Sequence, residues 1–389
     1  MPSVHEDRAP ALTSFAGPRG AVALIPVQAV EALARIDEFE TIIDARSESE
    51  FALDRLPGAV NWPSLNDAER ALVGTEYAQV SPFAARKRGA AIVARNIASH
   101  IERNVIDRPK DWAPLVYCWR GGQRSGALAT VLAQIGFRVQ LLQGGYQQYR
   151  RAVTSALEAL PGQFGLRVVC GPTGSGKSRL LQAMASEGAQ VLDLEALANH
   201  RGSVLGLVPG SVQPSQKQFD SRIWDALRRF DAARPVFVES ESKKIGDLRV
   251  PESLVQRMRE APCIWLELDL DARVALLMRD YDFFVTDTAA FCARLDALRA
   301  LRGNEVVAHW QELARGGKAA DVVRDLLVAH YDPIYLQSMR RNFPGIAAPM
   351  ARITWDGSAP GLSGATGSAL AAMPQGGAPE PAAASTRPR

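Results

Sequence analysis

The chain has 389 residues, enough for two domains with full cores, and its 47% hydrophobic and 22% charged content excludes fibrous and wholly disordered classes. A net charge of +3 is too small for a dedicated nucleic-acid-binding domain, so any nucleic acid has to be met by local patches. No stretch approaches the roughly 20 apolar residues of a membrane span, and four scattered cysteines with neither a signal peptide nor a C-x-x-C pair imply free thiols in a reducing cytoplasm.

Residues 1–21 carry Pro2, Pro10, Gly17, Pro18 and Gly20 without helical or strand period, and are expected to form a loose lead-in. From 22 to 160, short apolar strands at 41–44, 59–62, 115–118 and 139–142 alternate with helical stretches, which implies a parallel sheet with flanking helices. A mostly helical insert at about 66–107 interrupts this pattern. Its Arg86-Lys87-Arg88 run reads either as a solvated helix face or as a contact for nucleic-acid phosphate. A helix over 147–160 ends at Pro161-Gly162, where a second domain, 161–345, begins. It repeats the alternation with strands at 166–170, 190–192, 235–238 and 263–268, then turns helical over 271–338. Within that part, His330-Tyr331-Asp332-Pro333 reads as a helix terminator. Residues 346–389 are mostly Gly, Ala, Pro and Ser, a composition that cannot repay the entropy of ordering, and a disordered tail is expected.

The segment Cys118-Trp119-Arg120-Gly121-Gly122-Gln123-Arg124-Ser125 lies between a strand and an apolar helix beginning around Ala127. A thiol at such a turn is near a helix N-terminus, backbone N–H groups and two arginines, all of which favour the thiolate. Cys118 is therefore the candidate nucleophile. Arg120, Gly121, Gly122, Gln123, Arg124 and Ser125 would form a bowl for one tetrahedral oxyanion such as phosphate, thiosulfate or selenophosphate. The plainer alternative is a buried structural cysteine before a Gly-rich turn.

Gly171-Pro172-Thr173-Gly174-Ser175-Gly176-Lys177-Ser178 fits G-x-x-x-x-G-K-[ST] in the strand-to-helix context that gives the motif meaning. Backbone N–H groups of Gly171, Thr173, Gly174, Ser175 and Gly176 would cradle a diphosphate, with Lys177 reaching its outer oxygens. Ser178 would ligate Mg²⁺ if that ion binds. No N-K-x-D guanine-reading element is present, and Glu239-Ser240-Glu241-Ser242 occupies the Walker B position after Val236-Phe237-Val238, where an aspartate is usual. Diphosphate binding is thus better supported than ATP hydrolysis. Asp193, Glu195, His200 and Arg201, with Glu239 and Glu241, follow other strands of this domain and are expected around the diphosphate, since ligands of parallel sheets lie at the strands' C-terminal ends. Cys170 reads as a small core residue.

The first block resembles a rhodanese domain in Asp44-Ala45-Arg46 with Glu50, in Leu56-Pro57-Gly58-Ala59, in the Cys118 loop, and in Leu142-Gln143-Gly144-Gly145-Tyr146. It departs at Arg55, where those domains usually carry histidine. It also departs in the five residues between Cys118 and Arg124, which match the C-x5-R loop of tyrosine phosphatases and imply a larger anion than a sulfane sulfur. Fused to the P-loop block, it resembles the tRNA 2-selenouridine synthase family over about 22–343. Further support for that likeness comes from Val80-Ser81-Pro82-Phe83-Ala84-Ala85-Arg86 and the stretches 193–203 and 238–246.

The resemblance implies a rhodanese-like parallel-sheet α/β domain followed by a P-loop NTPase-like α/β domain with a helical C-terminal part. It also implies S-geranylation of a wobble 2-thiouridine by geranyl diphosphate and replacement of the geranylthio group by selenium from selenophosphate. The implied partners are tRNA carrying 2-thiouridine and an enzyme supplying selenophosphate, with no tightly bound cofactor and no membrane. The tRNA phosphates would fall to Arg86, Lys87, Arg88, Arg228, Arg229, Lys243, Lys244, Arg340 and Arg341. Three other readings fit the residues: a sulfurtransferase fused to an ATP-dependent small-molecule kinase, a C-x5-R phosphatase, and a non-catalytic RNA-binding protein.

Overall fold

In a computed structural model, which describes residues 24–200, 212–282 and 286–372, the chain divides into two units, Met1–Arg150 and Arg151–Arg389. The division falls inside the helix Gly145–Ala159, and the expected boundary at Pro161-Gly162 lies past its end, in the 3-10 turn Leu160–Gln163. The lead-in at 1–21 lies outside the described residues.

The first unit is built on strands β1 (Ile25–Val27), β2 (Ile42–Asp44), β3 (Ala59–Asn61), β4 (Leu115–Tyr117) and β5 (Gln140–Leu142). They form one all-parallel sheet in the order β1-β5-β4-β2-β3. The central strands β2 and β4 are buried at every position, as a sheet covered on both faces requires. The predicted insert is a pair of helices, Asp67–Gln79 and Pro82–Asn104, and local chemistry sets their ends. The Asn66 side chain accepts from the Glu69 N–H while Glu69 accepts from the Asn66 N–H. Ser81 caps the second helix, and Pro82, which has no N–H to leave unsatisfied, occupies its first turn. Ile97 carries that helix into the core with Ile43, Trp62, Trp112, Val116 and Leu128.

The second unit contains strands β6 (Leu166–Cys170), β7 (Gln190–Leu192), β8 (Val236–Glu239), β11 (Cys263–Glu267) and β12 (Ala351–Thr354). They are all parallel, in the order β12-β11-β6-β8-β7, and a small antiparallel hairpin pairs β9 (Lys244–Ile245) with β10 (Leu248–Arg249). The helical part has its own core around Phe291, Leu295, Leu298, Val307, Trp310 and Val322.

Two expectations are corrected here. The stretch beginning at 346 is not mostly disordered as far as residue 372. β12 extends the sheet edge, and the helix Ala359–Ala371 buries Ala365, Thr366 and Ala369. Small side chains let this helix lie close against helix Lys177–Ser186, so burial is achieved without large apolar residues. Residues 373–389 lie outside the described residues. The stretch His330-Tyr331-Asp332-Pro333 is not a terminator either. The helix Ala319–Asp325 runs through a π turn, Leu326–Tyr331, directly into helix Asp332–Asn342, with Pro333 in the latter's first turn. The wider turn makes room for a proline that the regular ladder would exclude.

Candidate functional site

Cys118 stands at the C-terminal end of β4 and is buried, with the hydroxyl of Ser125 donating to its sulfur at 3.1 Å. Ser125 lies in the first turn of helix Gln123–Ile135, so the thiol sits beneath a loop that opens into a helix N-terminus. The loop is pinned from one side: the Tyr146 N–H donates to the Cys118 carbonyl at 2.8 Å, and the Gln147 N–H to that of Trp119 at 3.1 Å. At Gly145, φ is +56°, and a Cβ there would lie 2.2 Å from the Cys118 carbonyl oxygen, so only glycine permits this approach. Gly121 and Gly122 line the loop, and Gly122 and Gln123 are exposed.

The two arginines are engaged by other side chains. Arg124 donates to Glu50 at 2.7 Å, and Arg120 to the Gln147 amide at 3.2 Å. Burial works against the Glu50 carboxylate, but the Arg124 hydrogen bond and charge, with help from Ser47, hold it below the usual range. Glu50 thus fixes Arg124 at the rim of the bowl.

Beneath the loop lies a buried ionic network. Arg46 pairs with Asp44 at 2.6 Å and donates to the Asp54 carbonyl at 2.6 Å, with both side chains of the pair almost fully buried. Tyr117 donates to Asp44 at 2.7 Å, Tyr146 to Asp54 at 2.8 Å, and the Arg46 guanidinium lies 4.0 Å from the Tyr146 ring centroid. Tyr117 directly precedes Cys118 in the chain and the Tyr146 N–H holds the Cys118 carbonyl, so the network sets the loop's position. Arg55 takes no part in the bowl and packs over the Phe51 ring. Arg46→Leu is expected to cost about 3–5 kcal/mol because it strands the Asp44 carboxylate in the interior. Urea unfolding of the full chain, followed at the tryptophans of the first unit, would measure it.

The second unit carries the P-loop between β6 and helix Lys177–Ser186. The Lys177 ammonium is buried, donates to the carbonyls of Gly171 at 3.0 Å and Pro172 at 3.4 Å, and lies 3.4 Å from Glu239. Burial, the largest influence, lowers its pKa, but Tyr335 and the Glu239, Glu195 and Glu241 carboxylates together raise it. Ser178 donates to both Glu195 and Glu239 at 3.1 Å. Carboxylate oxygens of Glu195, Glu239 and Glu241 all lie within 4.8 Å of one another. Burial and then the neighbouring Glu195 charge push Glu239 up to about 7, and burial followed by Glu239 and Glu195 pushes Glu241 well up. Crowded like charges out of water favour either protons or a cation, and an all-oxygen donor set with one hydroxyl suits Mg²⁺.

Several residues without a motif complete the loop. Tyr335, from helix Asp332–Asn342, accepts from the Gly171 N–H at 3.4 Å, pairs with the Ser240 hydroxyl at 2.9 Å, and is pushed by burial up to about 12. Arg273 donates to the Thr173 carbonyl at 2.8 Å and is clamped by Asp332 through two hydrogen bonds of 2.9 and 2.6 Å. The Trp355 indole donates to the Ser175 carbonyl at 2.9 Å, and its ring lies 2.4 Å from where a Cβ on Gly176 would be. With φ of +86° as well, Gly176 is fixed as glycine twice over.

The loop forms one wall of a cavity of about 1190 Å³. Thr173, Gly174, Gly176, Lys177 and Ser178 line it, as do Asp193, Glu195, His200, Glu239 and Glu241, so the structure brings together the predicted surroundings of the diphosphate. Asp193 also caps a helix by accepting from the Ala196 N–H at 2.9 Å. Arg201 lies outside the described residues. The lining also includes apolar side chains, Leu276, Leu277, Tyr281, Ile334, Met339 and Phe343, and Leu277 packs against the loop itself at Gly174. This part of the lining was not legible in the sequence.

The cations assigned to tRNA differ in availability. Arg88 pairs with Glu76 at 2.9 Å, Lys243 with Glu252 at 3.0 Å, and both Arg228 and Arg229 with Asp225. Arg86 and Lys87 are exposed and have no carboxylate partner among the described residues. Lys244, Arg340 and Arg341 are exposed, and Arg341 also lines the cavity. All four cysteines are buried free thiols, Cys170 among the core of β6. Among the described residues no helix is long and apolar enough to cross a membrane.

A family model described as a rhodanese-like domain matches residues 28–152, and one described as the tRNA 2-selenouridine synthase AAA domain matches residues 164–305. The chain is 38% identical to a tRNA 2-selenouridine synthase of Nitrosomonas europaea over 249 residues, 62% of this chain and 63% of that one. It thus spans just under two thirds of that relative's length. With the protein of the same name from Alcanivorax borkumensis it shares 35% identity over 281 residues, 70% of this chain and 75% of that one. With that from Bdellovibrio bacteriovorus it shares 33% over 353 residues, 77% and 89% of the two chains.

Proposed function

Since the chain belongs to the tRNA 2-selenouridine synthase family, we propose that it is a transferase acting on the wobble uridine of tRNA, converting 2-thiouridine to 2-selenouridine in two steps. In the first step the thiocarbonyl sulfur attacks the terminal carbon of geranyl diphosphate. The carbon–oxygen bond breaks, pyrophosphate leaves, and the uracil N3 proton is lost. In the second step the selenium of selenophosphate attacks C2, the C2–S bond breaks and the geranylthiol departs, which an unalkylated thiocarbonyl sulfur cannot readily do; water then cleaves the P–Se bond and phosphate leaves.

The observation that carries this reading is the mixed lining of the cavity in the second unit. A P-loop with a buried lysine shares the lining of one cavity with the apolar side chains of Leu276, Leu277, Ile334, Met339 and Phe343. A diphosphate ester of a hydrocarbon needs that combination: N–H groups and an ammonium for the charge that develops on the leaving group, and apolar surface for the chain. Lys177 and the loop N–H groups hold the diphosphate and stabilise it as it leaves. If Mg²⁺ binds, Ser178 with Glu195, Glu239 and Glu241 would hold it, and it would neutralise further phosphate charge. The Cys118 loop holds selenophosphate, and Cys118 assists the exchange by aiding departure of the geranylthiol.

The test is sequential. The protein is incubated with thiolated tRNA and geranyl diphosphate, then with selenophosphate, and the digested nucleosides are weighed by mass spectrometry. The geranylated nucleoside is expected first and the selenated one second. Unchanged tRNA, together with ATP turnover that needs no tRNA, would instead identify a kinase fused to a sulfurtransferase.

A further inference from the structure

Resting on the assignment of an RNA substrate, we infer that the corner between helices Asp67–Gln79 and Pro82–Asn104 is a docking platform for unpaired nucleotides of that RNA. Three apolar side chains crowd this corner and face solvent: Tyr77 at 55%, Val80 at 75% and Phe83 at 66% exposure. Each lies within three residues of the next, at the turn where one helix hands over to the other. Exposing two aromatic rings and a valine together is costly, and such a cluster marks a contact surface.

The charge around the cluster says which kind of contact. The Lys87 ammonium lies 5.0 Å from the Phe83 ring centroid, and Arg86 donates to the Pro82 carbonyl of its own helix. Their neighbours Arg88 and Arg95 are neutralised by Glu76 and Glu69, whereas Arg86 and Lys87 have no such counter-ion among the described residues. The core of a protein–protein contact is depleted of lysine. Aromatic faces flanked by uncompensated cations instead match unstacked bases on a phosphate backbone, the combination by which single-stranded RNA is held.

The platform is also rigid, which keeps the ordering cost of binding low. Caps at Asn66 and Ser81 fix both helix starts, and Gly89 lets the two helices approach so closely that an added Cβ would meet Val73 at 3.3 Å. Ala85, Ile92 and Ile97 anchor the second helix on its other face.

The test compares two RNAs by fluorescence anisotropy across a salt series, using the full chain: the anticodon stem-loop of a substrate tRNA, and a fully paired duplex of equal length. Tyr77→Ala and Phe83→Ala are expected to weaken stem-loop binding roughly 5- to 100-fold at every salt concentration, while leaving the duplex unaffected. Arg86→Gln with Lys87→Gln should lower the slope of log affinity against log salt by about 1 to 2 for both RNAs. All four positions are exposed, and matching thermal melts would exclude misfolding. Wild-type affinity for the stem-loop in Phe83→Ala, or an equal loss on both RNAs, overturns the platform even if the tRNA is modified. Failure of the wild type to bind or modify any tRNA overturns the parent assignment.

Discussion

Replacing Lys177 with alanine is expected to abolish geranyl transfer, lowering its single-turnover rate by at least about 10²- to 10³-fold. The ammonium is buried at the head of the P-loop helix and is the only cation placed by the described residues against both the loop carbonyls and Glu239. The side chains around it are the carboxylates Glu195, Glu239 and Glu241, so the loop N–H groups would lose the one ammonium that supplements them beside a departing diphosphate. Mass spectrometry of the digested tRNA gives the readout, and unchanged geranylation would remove the diphosphate from this loop.

The same variant should show a pH signature in stability. The Glu239 carboxyl is raised from 4.5 to about 7, so its contribution to folding is full below pH 4.5 and fades as pH rises through 7. Lys177 offsets that loss by favouring the charged form. Thermal melting should therefore find Lys177→Ala more destabilised relative to wild type at pH 8 than at pH 5. An equal difference at both values would mean that the lysine and the carboxylates do not act on one another.

Replacing Cys118 with alanine is expected to separate the two steps. Geranylated tRNA should accumulate, while selenium exchange falls by several orders of magnitude toward its uncatalysed rate. The sulfur is buried, with the Ser125 hydroxyl donating to it, and the surrounding loop is fixed by Gly145, Tyr146 and the Asp44–Arg46 pair. Removing one sulfur atom leaves that frame in place, so a loss of function would report chemistry and not collapse. Nucleoside analysis after addition of selenophosphate measures it. Loss of both products would show that the cysteine loop also serves the first step.

Much of this architecture could be read from the residues because its strands are short apolar runs bounded by turn signals. β6 and β7 fall at the spans expected for them, and both anion loops sit between a strand and a helix as their motifs require. What escaped has a common cause: contacts made by residues distant in sequence with no local pattern. Tyr335, Arg273 and Trp355 reach their P-loop partners across 100 to 180 residues, with Asp332 holding Arg273, and nothing around any of them signals that destination. The helix Ala359–Ala371 was hidden by composition, since alanine and glycine register as neither core nor surface until a neighbour is close enough to touch. The π turn at Leu326–Tyr331 was hidden because Pro333 ordinarily ends a helix. For Arg124 and Arg120 the residue types were legible, but their engagement by Glu50 and Gln147 was not.

The indole of Trp355 holds the Ser175 carbonyl, and β12 just before it forms the sheet edge beside β11. During synthesis the phosphate loop therefore emerges from the ribosome long before the residue that braces it. A nascent chain halted anywhere between 178 and 350 would carry a complete motif on a sheet that lacks β12, without the indole that holds the Ser175 carbonyl. The brace on this loop is thus among the last parts of the unit to be made, and the loop's surroundings are complete only when the sheet is.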